Sequence, residues 1–295
     1  MSGKTALVTG GTAGLGKAIA AGLARQGATV VVTGRDRARG ARAVAELEAE
    51  NPQRRVEFLQ GDLLIQSAVR QLATHFRARH DRLHVLVNNA GLLTARRQVT
   101  VDGIESQFAI HVLAPLLLTT ELLPTLRESG QQGAAARVIN TSAGSHRFGT
   151  LDPADLNAER SFKPWISYNK AKTASLLVGY ELARRLSAVH VTLNAVDPGG
   201  VKTDLFRTAP VPWYVRPLMP LLERFVAQTP EVAAQTFLSV ASSPNFEGIT
   251  GRYFSNMRER RSAKITYDDA VARRLFEECA RLAHISTRDL SSLGA

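Results

Sequence analysis

The chain has 295 residues, 44% hydrophobic and 21% charged, which is the composition of a folded protein able to bury a large core. The lone Cys279 excludes an internal disulfide, and no Cys/His cluster has metal-ligand spacing, so no metal is expected. The net charge of +11 raises the question of nucleic acid, but the thirty arginines and seven lysines are scattered and no basic run interleaves with aromatics, so no such partner is expected. No apolar run reaches the ~18 residues needed to span a bilayer. The richest patch, Leu113–Leu126, is broken by Pro115, Thr119, Thr120, Glu121 and Pro124, and the N-terminus has no signal-peptide pattern. A soluble, cytoplasmic chain without a membrane partner is the expectation.

In chain order, Thr5–Thr9 reads as a buried strand and Gly14–Gln26 as a helix closed by Gly27. Thr29–Thr33 is a β-branched strand, followed by a helix over Asp36–Glu50 that Asn51-Pro52 ends. A third strand at Val56–Gln60, a helix at Ile65–Arg79 and a fourth strand at Val85–Asn88 come next. One long helix is predicted over Val101–Arg127 with Pro115 inside it, then a strand at Arg137–Thr141, a helix at Tyr168–Ser187 and a strand at Val191–Val196. Gly251–Phe254 is a candidate seventh. Strands apolar on both faces and separated by helices imply a doubly wound parallel α/β sheet of about seven strands, in a single domain covering residues 1–295. Such sheets bind ligands beyond the carboxyl ends of their strands. Residues 205–228 break the pattern with four prolines among Trp213, Tyr214, Leu218 and Met219, and read either as irregular core helices or as a substrate lid.

Between the first strand and its helix lies Thr9-Gly10-Gly11-Thr12-Ala13-Gly14-Leu15-Gly16. Glycines there permit a tight turn and close approach to a pyrophosphate, while the helix N-terminus offers free N–H groups. An NAD site places a carboxylate at the end of the second strand; here Gly34 stands there, followed by Arg35, with Arg39 one turn on. A guanidinium grips a 2′-phosphate that a carboxylate would repel, which favours NADP(H). Tyr168 and Lys172, four apart on a predicted helix, share a face. An ammonium beside a phenol lowers its pKa from ~10 and fits it for proton transfer to an alkoxide.

The Gly-x3-Gly-x-Gly spacing, Asn88-Asn89-Ala90-Gly91, Asp62 after strand three, Tyr168-x3-Lys172 and Asp197-Pro198-Gly199-Gly200-Val201-Lys202-Thr203 together resemble the short-chain dehydrogenase/reductase family. The likeness runs from about Gly3 to Ile285, nearest in wording (RVINTSAGSHRF, DLNAER, ELARRL, TGRYF) to its retinol-dehydrogenase-like and WW-domain-oxidoreductase-like branch. The resemblance implies a Rossmann-type fold, with Gly10, Thr12, Leu15 and Gly16 lining the pyrophosphate. It further implies Asp62 and Leu63 at the adenine, Asn89 and Gly91 at the ribose, Pro198 and Gly199 among the cofactor residues, and Val201 and Thr203 near the carboxamide. Tyr168 and Lys172 fall on the family's catalytic pair, with Lys172 also holding the nicotinamide ribose.

Two positions depart from that pattern. Where the family has asparagine in F-x-x-N-x-L, this chain has His111, and where it has the second serine of Asn-Val-Ser-Ser, Asn140-Thr141-Ser142-Ala143 puts Ala143. Ser142 or Ser145 could supply the missing hydroxyl, and Ser142 is preferred; His111, at the family's asparagine position, is carried as a candidate catalytic residue, although lone histidines such as His111 and His146 more often read as structural. The expected activity is NADP(H)-dependent interconversion of a carbonyl and an alcohol on an apolar, medium-sized substrate, with a homo-oligomer left open. The alternative is a weakly active or non-redox member that binds the same nucleotide.

Overall fold

The computed structural model describes residues 1–50, 55–131, 133–201 and 228–286. Five short runs of alternating apolar residues form the parallel centre: β1 (Thr5–Val8), β2 (Thr29–Gly34), β3 (Val56–Gln60), β4 (Val85–Asn88) and β5 (Ala136–Thr141). Between them lie α1 (Gly14–Arg25), α2 (Arg37–Glu50) and α3 (Gln66–Arg77), and then a broken helical segment: α4 (Ser106–Phe108), a π-turn (Ala109–Leu113), α5 (Ala114–Glu121) and α6 (Leu123–Gln131). After β5 come α7 (Pro164–Leu186), β6 (Val191–Asp197), α8 (Pro230–Ser242), β7 (Tyr253–Ser255), β8 (Arg258–Arg260) and α9 (Asp269–Leu282). The sheet has eight strands in the order β3-β2-β1-β4-β5-β6-β7-β8, all parallel except β8. The order reverses between β1 and β4, so the loops after these two strands diverge and open the crevice where such sheets bind ligands.

Period-two side-chain alternation explains why the strands look apolar throughout. Ala6, Val8, Val30 and Val32 face a core shared with α1 and α8, while Leu7, Val31 and Val138 face α3, α5, α7 and α9. Phe76, Phe108 and Phe276 are fully buried in the second core, and Phe237 and Phe254 in the first. Among the described residues no single helix is long and apolar enough to cross a membrane; a bent pair, Ser106–Glu121 and Leu123–Gln131 at 57°, turns Leu116, Leu117, Leu122 and Leu126 into the core.

The predicted helix over Val101–Arg127 needs correcting. A turn at Gly103 (φ 77°) precedes it, and the buried Glu105 carboxylate caps the new start, accepting from Gln107 N at 2.9 Å and Phe108 N at 3.0 Å. Pro115 has no N–H to give the carbonyl one turn back, and the helix widens just before it, with Ala114 N reaching Ala109 O. Pro124 likewise follows the break at Leu122. The α7 helix begins one turn earlier than predicted, at Pro164, and β8 extends the expected seven strands to eight.

Candidate active site

The glycine loop is shaped by contacts that no side chain could share. Gly10 takes φ 64°, and a Cβ on Gly16 would stand 2.3 Å from Gly10 O, so the first turn of α1 lies directly on the loop. Thr9 and Asn89 fasten this loop to the end of β4. The Thr9 hydroxyl accepts from Asn89 N at 2.9 Å and Ala90 N at 3.0 Å, and the Asn89 side-chain amide donates to Thr9 O at 3.0 Å. The helix cap position is Ala13, whose side chain forms no capping bond, and the first turn holds no acid. The N–H groups of α1 are therefore presented without an internal acceptor, beside Leu15 and Gly16, as a phosphate requires.

At the end of β2, Gly34 packs on Thr12, whose Cγ2 lies 3.0 Å from where a Cβ would be, so the loop and the strand end form one wall. Gly61 N donates to Gly34 O at 3.0 Å, bringing the half-buried Asp62 alongside, and Leu63 is buried in the core beneath. The Arg35 and Arg39 guanidiniums are exposed and have no ion-pair partner among the described residues. These residues fit a dinucleotide, and the strand end carries positive charge where its adenosine ribose would lie.

Tyr168 and Lys172 lie on α7, each 4% exposed. Lys172 Nζ donates to Thr141 O at 2.8 Å and sits 5.7 Å from the Tyr168 ring centroid. Burial, with the Asp197 carboxylate adding to it, pushes the phenol above its ordinary value near 10. The expected lowering by the ammonium does not dominate, because the phenol is desolvated and the lysine is spent on a backbone carbonyl. Burial brings Lys172 itself down to about 8, with Asp197 pulling the other way. At neutral pH the pair therefore holds a protonated phenol beside a cation.

His111 occupies the π-turn with its ring edge-on to Tyr168 at 5.2 Å, and its Nε2 is 2.8 Å from Leu92 O. Complete burial, followed by the charge of Lys172, holds it well below the usual histidine range, so it is neutral and Nε2 donates. A Cβ at Gly91 would meet its Cε1 at 2.6 Å, which ties Gly91 to the histidine. His146 is structural: Nδ1 bonds Ala143 O at 2.7 Å, and Nε2 accepts from Ala263 N at 3.1 Å. Ser142 is buried and shares a face with Asn140, and its hydroxyl has no partner; the hydroxyls of Thr141 and Ser145 are likewise unpaired.

Sequence reasoning quoted Asp197 as a motif residue but did not foresee the contact with Tyr253 that closes this end of the site. Asp197 Oδ2 accepts from the Tyr253 hydroxyl at 2.7 Å and Oδ1 from Gly199 N at 2.8 Å. The hints were the motif beginning at Asp197 and TGRYF, which placed a tyrosine on the candidate seventh strand. Gly199 takes φ 71°, Pro198 O accepts from Gln228 Nε2 at 2.6 Å, and Val201 bridges Gln228. Thr203 and residues 205–227 of the expected lid lie outside the described residues.

Comparison with known proteins agrees with this geometry. A short chain dehydrogenase family model matches residues 4–210. The chain is 39% identical to a polyprenol dehydrogenase from Mus musculus, over 95% of this chain and 84% of that one. It is 37% identical to retinol dehydrogenase 14 from Homo sapiens, over 94% and 85%. Among solved structures, an uncharacterized protein from Mycobacterium paratuberculosis superposes with TM-score 0.75 at 28% identity, covering 96% of this chain and 94% of that one. The RhlG/NADP active-site complex of Pseudomonas aeruginosa gives 0.71 at 27% identity, covering 86% and 95%. With the glycine loop, the strand order and the Tyr168–Lys172 helix in place, this chain belongs to the short-chain dehydrogenase/reductase family of oxidoreductases, in its retinol-dehydrogenase-like branch.

Proposed function

We propose that the protein interconverts a carbonyl and an alcohol on an apolar substrate with NADP(H). The observation that carries this reading is the buried Tyr168–Lys172 pair, placed on α7 at the end of the sheet where the uncapped N-terminus of α1 opens. The nucleotide supplies and receives the hydride. Tyr168, protonated at neutral pH, gives its proton to the substrate oxygen as that oxygen gains charge. Lys172 holds positive charge beside the phenol, and Ser142 offers a hydroxyl to the same oxygen. The names of the relatives, polyprenol and retinol dehydrogenases, point to isoprenoid alcohols and their carbonyl forms as the first substrates to try. A screen of such aldehydes and ketones for NADPH oxidation, with NADPH binding measured in parallel, tests the reading. Binding without oxidation of any carbonyl would support the weak or non-redox alternative that His111 and Ala143 motivate.

The choice of cofactor has its own test. NADPH is expected to bind at least about tenfold more tightly than NADH, a difference of ~1.4 kcal/mol, because Gly34-Arg35 offers a guanidinium and no carboxylate. Titration calorimetry with both nucleotides measures this, and Arg35→Ala should erase most of the gap. Equal affinities in the wild type would remove the NADP assignment.

Lys172 sets a pH dependence. Its cation is present below about 8 and lost above it, so carbonyl reduction should decline as pH rises through that value. A kcat/KM profile from pH ~6 to ~10 reads it. A profile that is flat across that span would show that the charge on Lys172 is not used.

A further inference from the structure

The outer edge of the sheet carries positive charge that nothing in the described structure neutralises. β8 returns along β7 through a two-residue turn at Asn256 and Met257, whose φ values of 51° and 58° suit a type I′ hairpin. Residues directly opposite share a face. Arg260, opposite Tyr253, and Arg258, opposite Ser255, therefore project on the side where Tyr253 packs with Leu176 and Tyr180 of α7. Glu259 projects on the other side, where Arg252 meets it at 3.5 Å. The charged sides of this short strand are thus segregated, with the ion pair on one face and two unpaired arginines on the other.

The strip continues past β8 through Arg261 and Lys264. It is joined to the loop after β5 by two bonds, Arg147 to Arg261 O and Ala263 N to His146 Nε2 at 3.1 Å. Arg147, Arg258, Arg260, Arg261 and Lys264 are all exposed, and none has an ion-pair partner among the described residues. The nearby acids are committed elsewhere: Asp268 caps α9 by accepting from Ala270 N and Val271 N, and Asp269 pairs with Arg184 at 2.9 Å. Next in the chain to Arg147, Arg258 and Lys264 stand three exposed apolar side chains, Phe148 at 76%, Met257 at 59% and Ile265 at 40%.

We propose that this face docks the protein on an anionic lipid surface, the arginines and Lys264 meeting headgroups while Phe148, Met257 and Ile265 enter the interface. Scattered apolar residues alone would mean nothing. It is their interleaving with unpaired bases that matches a bilayer surface, which offers negative charge and an apolar layer within one side-chain length. A nucleic-acid backbone would leave the apolar groups unrewarded, and a second copy would set like charge against like. This peripheral contact needs no spanning helix.

The test is co-sedimentation of the full chain with phosphatidylcholine vesicles and with vesicles containing about 30% phosphatidylglycerol. Binding should be at least about tenfold tighter to the anionic vesicles and should fade by about 0.5 M salt, where exposed charges are screened. The combined Arg258→Gln, Arg260→Gln and Arg261→Gln variant should bind about a hundredfold more weakly, from about fivefold per basic residue. Phe148→Ser with Ile265→Ser should weaken binding at unchanged salt dependence. An unaltered melting temperature and NADPH affinity will show that each variant is folded. Equal binding to both vesicle types, or an arginine variant that sediments like the wild type, overturns the proposal. So does a duplex oligonucleotide held more tightly than the vesicles through the same arginines. If the arginine variant instead self-associates with vesicle binding intact, the charges serve only to keep β8 from pairing edge to edge, and the proposal falls.

Discussion

Tyr168→Phe is expected to lower kcat for carbonyl reduction by at least about a hundredfold and to leave NADPH affinity nearly unchanged, since a positioned proton donor contributes ~10²–10⁴ in rate. Phenylalanine keeps the ring that lies edge-on to His111 at 5.2 Å and to Trp165 at 6.3 Å, so the packing of α7 survives. The hydroxyl alone is removed. Burial holds that phenol protonated at neutral pH, which is the state a donor needs when substrate is reduced. The oxidative direction needs the deprotonated form, so it should gain more from alkaline pH than reduction does, until Lys172 loses its charge above about 8. Steady-state rates in both directions, with nucleotide binding followed by fluorescence, measure the effect. A Tyr168→Phe protein that turns over normally would show that another group carries the proton.

Much of this site was legible in the sequence because its backbone demands are severe. A strand, a glycine loop and a helix start leave one place for a phosphate, and Gly16 against Gly10 O is the contact that spacing implied. Tyr168 and Lys172 could be paired from their four-residue separation on a long helical pattern. The sheet centre was equally plain, since Thr29–Thr33 and Val191–Val196 are rich in β-branched and other apolar residues, and both runs lie in strands buried on both faces. What was hidden depends on contacts distant in sequence. Asp197 and Tyr253 meet across fifty-six residues, and His146 and Ala263 across more than a hundred. The break in the long helix was misread for a different reason. Apolar periodicity persists through Ala109–Leu113, and only the missing N–H of Pro115 and the Glu105 cap reveal that the helix starts late and widens. The direction of the Tyr168 shift also depends on burial, which pairwise spacing does not report.

Ser142→Ala is the second substitution with a large expected effect, and it should separate activity from stability. A hydroxyl aimed at a developing oxyanion is worth ~2.7–4 kcal/mol, or roughly 10²–10³ in kcat. Ser142 is 4% exposed and its hydroxyl has no partner. A buried polar group left unpaired costs ~1–3 kcal/mol. Removing it should therefore leave the melting temperature unchanged or raised while turnover collapses, the signature of a group kept for its ligand and not for the fold. Ala143 is the competing position. Its carbonyl is held by His146 Nδ1 at 2.7 Å and its backbone is extended, so a serine fits there without strain. If Ser142 is the donor, Ala143→Ser changes kcat by no more than a few-fold. If Ala143→Ser instead raises turnover by tens of times or more and Ser142→Ala is silent, the native chain lacks its oxyanion donor. The protein is then a nucleotide-binding member of its family with feeble redox activity, and the unpaired Ser142 hydroxyl is an unused residue of the strand end.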